Sequence, residues 1–156
     1  MPPILRLALL AALTFTAPLL HAQRERLTPD EIDYIDKTWP GTKKTGTGIR
    51  YLIRHEGEGE APKPGDRVGV LYVGTLLHGA KFDQHVDPAD PLVIRVGRGE
   101  VISGWDQILV TMKLHEKRLA IIPSELAYGS RGRPPVIPRD ATLVFEMELI
   151  TITREQ

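Results

Sequence analysis

The chain has 156 residues, with 20 basic and 20 acidic side chains and no net formal charge at neutral pH. Neutral charge without a basic block gives no reason to propose a nucleic-acid partner. The length fits one domain. Because the chain has no cysteine, disulfides are excluded and stability must come from an apolar core.

Residues 1–22 have the composition of a secretory signal peptide. Arg6 gives the N-terminal region a positive charge, and Leu7–Leu20 form an apolar run. Leu20-His21-Ala22 is a candidate cleavage site that ends in a small residue. Leucine is not the small residue preferred three positions before the cut, so an uncleaved membrane anchor is the alternative. The run is too short for a membrane span. We therefore predict export, to a periplasm or the medium, with no membrane contact after processing.

Residues 23–47 are predicted to form an arm with one short helix. Thr28-Pro29-Asp30-Glu31 offers a capping hydroxyl, proline at the first helical position and an acid three residues after the cap. We expect the helix to end near Lys37. A helix this short does not persist alone, so its apolar residues should pack on the same domain, which leaves a monomer, or join two copies: Ile32, Ile35 and Trp39.

Residues 48–156 show strand-like runs separated by turn residues. The run Arg67–Leu77 is apolar on both faces, which indicates a central strand. The last run alternates apolar and charged side chains and should lie in the middle of an antiparallel sheet. The segment KFDQHVDPADP, residues 81–91, is predicted to be a loop. The predicted strands are Ile49–Arg54, Arg67–Leu77, Leu92–Val96, Lys117–Ile122 and Thr142–Arg154.

One helix is predicted among these strands. Ser103 is placed to cap it, Asp106 follows three residues later, and apolar residues recur at helical spacing from Trp105 to Met112. A sheet with a single helix buries its apolar face by wrapping around that helix. We therefore predict an α+β domain, with Trp105 near one end of the core.

Three predicted loops contain apolar or aromatic residues that a solvated loop does not need. Each of these residues taken alone reads most simply as a cap on the core. If the loops converge over Trp105, however, they form an aromatic pocket with few polar groups. The residues are Phe82, Val101, Ile102, Tyr128, Val136 and Ile137.

Two other kinds of site are weaker readings. Asp83, His85, Asp87 and Asp90 offer metal-binding groups, but they lack the tight spacing of a metal site and fit a solvated loop. The stretch from Gly97 to Gly99 lacks the further glycines of a nucleotide-binding turn. We predict neither a metal nor a cofactor.

Several short motifs, in a fixed order, resemble the FK506-binding-protein family of peptidyl-prolyl cis/trans isomerases. The similarity covers residues 48 to 154. It implies a five- to six-stranded antiparallel half-barrel around one short helix, a pocket for the proline of a polypeptide chain, and inhibition by FK506-type macrolides. The motifs are Tyr72-Val-Gly, Gly79-x-Lys-Phe-Asp83, Gly99-Glu-Val-Ile102, Gly104-Trp105, Ala127-Tyr-Gly129, Ile137-Pro and Ala141-Thr-Leu-Val-Phe145.

The resemblance also implies roles for individual residues. Tyr72, Asp83, Tyr128 and Phe145 match the catalytic positions. The matches for substrate binding are Phe82, Val101, Ile102, Trp105, Val136 and Ile137. The chain departs from the family pattern at Leu92, Pro88, Arg133 and His115, the last of which stands where a glycine is common.

The expected reaction is rotation about the bond before proline, which crosses a barrier of roughly 18 to 20 kcal/mol because amide resonance must be broken. It needs no proton transfer, metal or covalent intermediate. An apolar pocket can stabilise the twisted bond by binding and desolvation. The alternative is a non-catalytic chaperone that holds unfolded chains in the same groove.

Overall fold

The chain forms one antiparallel sheet with an α-helix on each face. The computed structural model describes residues 25–154, so the predicted signal at 1–22 lies outside the described residues. The α-helices are α1 (Pro29–Thr38) and α2 (Ser103–Leu109), and single 3-10 turns occupy Ser124–Leu126 and Gly129–Arg131. The strands are β1 (Lys43–Lys44), β2 (Arg50–His55), β3 (Arg67–Leu76), β4 (Lys81–His85), β5 (Leu92–Arg95), β6 (Lys117–Ile122) and β7 (Leu143–Thr153).

The strand order is β1-β2-β6-β7-β3-β4, and β5 also pairs with β3. The long strands β3 and β7 therefore lie at the centre, which confirms both predictions of central strands. Along β7 the buried side chains alternate with Glu146 and Glu148, so one face belongs to the core. The buried set is Leu143, Phe145, Met147 and Leu149.

Strand β4 contradicts the prediction of a loop over residues 81–91, since the first half of that segment forms β4 and pairs antiparallel with β3. The strand is short, mostly polar and followed by prolines, so its sequence carries no strong period-two pattern. With β4 and the two-residue β1, the sheet has seven strands rather than the five to six expected.

Helix α2 lies against the inner face of the sheet and provides the core with Trp105, Ile108 and Leu109, all buried. Gly104 permits this close approach, because a Cβ added there would lie 2.4 Å from Cγ2 of Ile122. The predicted wrapping of the sheet around a single inner helix is confirmed.

The predicted start of α2 was wrong by one residue. Ile102, extended at φ −56° and ψ 147°, is the N-cap, and no side chain caps the helix. Ser103 is the first helical residue, and its hydroxyl accepts a hydrogen bond from the side-chain Nε2 of Gln107 at 3.0 Å. Asp106 does not cap the helix either; its carboxylate accepts hydrogen bonds from the loop before α2.

Helix α1 begins as predicted. Thr28 accepts from the Glu31 amide and the Glu31 carboxylate accepts from the Thr28 amide, which is a complete capping box. Ile35 is fully buried and belongs to a cluster on the outer face of the sheet with Leu119 and Ile121. The arm thus folds on its own domain. Neither α1 nor α2, the α-helices in the described part of the chain, is long and apolar enough to cross a membrane.

The turn that follows α2 keeps a backbone conformation that favours glycine. His115 has φ +62° and is exposed, and its amide donates to the Leu149 carbonyl at 2.6 Å. A left-handed conformation costs a non-glycine residue roughly 1–2 kcal/mol. The departure from the family pattern at this position therefore leaves the turn intact but strained.

We expect Gly104→Ala to destabilise the protein by about 1 kcal/mol or more, measured by urea unfolding. The contact with stiff, β-branched Ile122 should outweigh the gain in helix propensity, which is at most about 1 kcal/mol. Ser103→Ala is the matched control and should change stability by less than about 0.5 kcal/mol, since no cap is lost. A stabilised Gly104→Ala variant would contradict the packing described.

We expect His115→Gly to stabilise the protein by about 0.5 to 1 kcal/mol, because glycine removes the left-handed strain. The greater conformational entropy of glycine in the unfolded chain offsets only part of this gain. His115→Ala has the same strain and should give no gain. Equal stabilities of the two variants in urea would show that the turn is not strained.

Candidate active site

Four aromatic rings meet at one end of the core, between α2 and strands β3, β4 and β7. The Tyr72 and Trp105 ring centroids are 4.8 Å apart at 90°, and those of Trp105 and Phe145 are 5.3 Å apart at 84°. Phe82 meets Phe145 at 5.7 Å and 89°. These are edge-to-face pairs, the arrangement that aromatic quadrupoles favour. The rings therefore hold one another in fixed orientations.

The rings surround a cavity of about 140 Å³. All of the predicted pocket residues line it except Val136 and Ile137. The lining also includes Leu92 and Glu100, and Glu100 was not predicted. The lining residues are Tyr72, Phe82, Asp83, Leu92, Glu100, Val101, Ile102, Trp105, Tyr128 and Phe145.

The loop at 127–138 reaches the cavity through Tyr128 and not through its Val-Ile pair. Val136 is 46% exposed and Ile137 is 1% exposed. Ile137 exchanges backbone hydrogen bonds with Arg133 at 2.8 and 3.0 Å, in an isolated bridge that turns the loop back on itself. Adjacent residues of an extended chain point to opposite sides, so one of the pair enters the core while the other faces solvent.

Gly74 makes room for the rings from the sheet side. A Cβ at this position would lie 2.8 Å from Cζ of Phe82 and 2.9 Å from Cε1 of Phe145. Gly74 is also the direct cross-strand partner of Phe145 in the β3–β7 ladder. A larger residue would displace both rings, which explains why glycine suits the Tyr72-Val-Gly motif.

A bulge in β4 turns two consecutive residues toward the same cavity. Gly74 pairs with Asp83, whereas the next residue, Thr75, pairs with Lys81, so Phe82 is an extra residue on β4. A bulge changes the direction of a side chain that a regular strand would send to the opposite face. Phe82 and Asp83 consequently both line the cavity.

Tyr72 and Asp83 form the polar edge of the cavity. The Tyr72 hydroxyl donates to Oδ2 of Asp83 at 2.8 Å, and Oδ1 accepts from the Gln84 amide at 2.9 Å. Burial, followed by the hydrogen bond to Asp83 and its charge, raises the pKa of Tyr72 well above its usual value. The phenol therefore stays protonated at physiological pH, and Asp83 is held in one orientation.

Asp106 holds the wall that contains Val101 and Ile102. Its two carboxylate oxygens accept from the amides of Gly97 and Gly99, each at 2.8 Å. The loop before α2 is thereby tied to the first turn of the helix. The Gly-x-Gly pattern just before a helix with an early acid was the available sequence signal for this role.

Three donors of cavity-lining residues have no hydrogen-bond acceptor among residues 25–154. Nε1 of Trp105 is buried and unsatisfied within that range. The Tyr128 hydroxyl and the Ile102 amide donate to no group there either. Buried or half-buried donors are normally satisfied, so these three groups suit a ligand that has acceptor oxygens.

Other sites on the molecule fit a ligand less well. A cavity of about 290 Å³ lies on the outer face of the sheet, but its charged side chains pair with each other, Arg54 with Glu146 at 3.2 Å and Lys117 with Glu148 at 3.3 Å. Among residues 25–154 there is no group of three or more His, Cys, Asp or Glu that could hold a metal ion.

Comparison with known proteins gives a consistent result. Residues 58–150 match the family model for FKBP-type peptidyl-prolyl cis-trans isomerases. The chain is 42% identical over 110 residues to FK506-binding protein 1A of Aspergillus fumigatus, covering 70% of this chain and 98% of that protein. It is 47% identical over 113 residues to human peptidyl-prolyl cis-trans isomerase FKBP4, covering 72% of this chain but only 25% of that longer protein.

Solved structures agree with the sequence matches. FkpA from Escherichia coli superposes with a TM-score of 0.70 at 39% identity, over 80% of this chain and 58% of that one. A peptidyl-prolyl cis-trans isomerase from Pseudomonas syringae pv. tomato also gives 0.70, at 36% identity, over 80% of this chain and 92% of that one. The chain belongs to the family of FKBP-type peptidyl-prolyl cis-trans isomerases.

Proposed function

We propose that the aromatic cavity binds the proline of an exported polypeptide and accelerates rotation about the peptide bond that precedes it. The observation that supports this most is the set of edge-to-face aromatic rings around Trp105, whose buried Nε1 has no acceptor among residues 25–154. A proline ring is apolar and fits among aromatic faces and edges, while the carbonyls beside it accept hydrogen bonds. Family membership supports the same reaction class.

We assign each side chain a role that its position in the cavity supports. Trp105 forms the floor of the cavity, and Phe82 and Phe145 form its walls. The Tyr128 hydroxyl and the Ile102 amide donate to the bound chain and fix its direction. Asp83, oriented by Tyr72, lies beside the rotating amide.

Catalysis in this scheme is differential binding. Twisting the amide breaks its resonance and reduces its charge separation, so a dry apolar cavity favours the twisted state over the planar one relative to water. Every tenfold in rate requires about 1.4 kcal/mol. A few contacts that become stronger when the amide twists are therefore enough for a useful rate enhancement, without acid–base chemistry.

The wider biological role is also a proposal. The signal-like composition of residues 1–22 supports export, and the packing of α1 on its own sheet supports a monomer. In exported proteins uncatalysed proline isomerisation takes tens to hundreds of seconds. Assistance with such slow folding steps is the natural task for this enzyme.

The decisive experiment measures cis-to-trans isomerisation of a short prolyl peptide by the purified protein, with and without an FK506-type macrolide. We expect a rate enhancement that the macrolide abolishes. Macrolide binding without any enhancement would reject the catalytic proposal and favour a non-catalytic chaperone. Enhancement that the macrolide does not affect would place catalysis outside this cavity.

We expect Asp83→Val to lower kcat/KM at least roughly tenfold, a loss of about 1.4 kcal/mol of transition-state stabilisation. Asp90→Val is the control, because Asp90 is exposed on the loop after β4 and does not line the cavity. Far-UV circular dichroism should be unchanged in both variants. Equal losses in the two variants would remove Asp83 from the site.

We expect Tyr72→Phe to lower the free energy of unfolding by about 1 kcal/mol at neutral pH, the usual net value of one hydrogen bond. Because the folded-state pKa of Tyr72 is raised above the ordinary value of 10.0, its contribution is complete below pH 10 and is lost as pH rises further. The difference between the two proteins should shrink in urea titrations above pH 10. A stability difference that is independent of pH would contradict a raised pKa of Tyr72 in the folded protein.

A further inference from the structure

Strand β4 holds two site residues with little support from the sheet. It is the last strand in the sheet order, and among the strands of residues 25–154 its one partner is β3. Its ladder is interrupted by the bulge at Phe82, and a bulge leaves its extra residue unpaired. Besides the contact of Phe82 with Phe145 and the hydrogen bond of Asp83 to Tyr72, the position of β4 depends on what holds the adjoining β3–β4 turn, residues 77–80.

This turn is closed locally by two backbone hydrogen bonds. The Leu76 amide donates to the Ala80 carbonyl and the Gly79 amide donates to the Leu76 carbonyl, both at 2.9 Å. Gly79 has φ +97°, a conformation that glycine adopts without strain. These bonds shape the turn, but they do not attach it to the rest of the domain.

Helix α1 makes that attachment from the outer face of the sheet. The rings of Tyr34 and His78 pack edge to face, with centroids 4.6 Å apart at 73°. Leu77, at the start of the turn, is 6% exposed and belongs to the same apolar cluster as Ile35 of α1. Thus His78 lies against the helix, and Leu77 belongs to the apolar cluster that the helix joins.

The helix is itself fixed to the domain. Its capping box closes the first turn, and Asp36 accepts a hydrogen bond from Arg50 of β2 at 2.9 Å. Tyr34 also packs edge to face on Trp39, at 6.1 Å. The ring that touches the turn is therefore held on both sides.

We propose that α1 is a positioning element for the isomerase site, in which Tyr34 holds the β3–β4 turn through His78 and thereby fixes Phe82 and Asp83 in the cavity. Tyr34 does not line the cavity and acts only through the turn. The predicted effect on rate rests on the proposed isomerase function, whereas the predicted effect on Phe82 does not.

The test uses protein labelled with 4-fluorophenylalanine, because the sequence has only 3 phenylalanines and fluorine NMR reports each one separately. The Phe82 signal is assigned with Phe82→Leu. Tyr34→Ala and His78→Ala each remove one partner of the ring contact. If one variant fails to fold, the other still tests the proposal. Tyr34→Phe retains the ring contact and adds a fourth fluorine signal, so its comparison with the parent uses the Phe82 signal alone. Asp33→Ala, exposed on the same helix, is the control.

We expect Tyr34→Ala and His78→Ala to shift or broaden the Phe82 signal and to lower kcat/KM roughly 3- to 10-fold, as small displacements of a site do. Tyr34→Phe and Asp33→Ala should match the parent in both measurements. An unchanged Phe82 signal in the alanine variants would overturn the proposal, and so would a changed signal with the full rate of an active parent. An inactive parent would reject the proposed function alone, and the fluorine signal would still decide whether α1 positions Phe82.

Discussion

The pairing of β3 with β7 decides which side chains reach the cavity. In this ladder Tyr72 faces Met147 and Gly74 faces Phe145, so Tyr72 and Phe145 point to the inner face beside Trp105. A register shift of one residue would send these side chains to the outer face. The same register sets Gly74, which has no side chain, opposite Phe145, the aromatic residue of β7. The register of β3 on β7 thus constrains both the packing of the rings and the cavity between them.

Around this pairing, each wall of the cavity is attached by a different interaction. The β4 wall uses a bulge that turns Phe82 and Asp83 to the same side. The wall before α2 is tied to the helix by the Asp106 carboxylate. The third wall places Tyr128 while Ile137 anchors its loop in the core. Such attachments matter because catalysis by differential binding depends on a cavity that does not adapt equally to planar and twisted amides.

The site therefore combines rigidity with very little polarity. Asp83, one of the two acids that line the cavity, is oriented by a neutral phenol whose pKa is raised by burial and by that acid. No group of the cavity must change protonation in the proposed reaction. The outer face contributes through α1, which belongs to an apolar cluster with residues of β6 and β7, and β7 also carries Phe145.

Local patterns in the sequence determined much of this protein. The capping box of α1, the alternation along β7 and the helical spacing after Ser103 depend on chain neighbours, and the structure agrees with each element. Motif order was sufficient for the family and for most of the cavity lining. Phe82, Trp105 and Tyr128 could be selected because aromatic residues in apparent loops are unexpected.

Only the tertiary structure decided the remaining features, because each depends on contacts between segments distant in sequence. The bulge that makes Phe82 and Asp83 neighbours on one side exists only when β4 pairs with β3. The separation of Val136 from Ile137 depends on the return of the loop to the core. Asp106 could be expected to cap its own helix, but its carboxylate accepts hydrogen bonds from the amides of Gly97 and Gly99 instead. Sequence periodicity records which face of an element is apolar, whereas the partner of that face is set by packing.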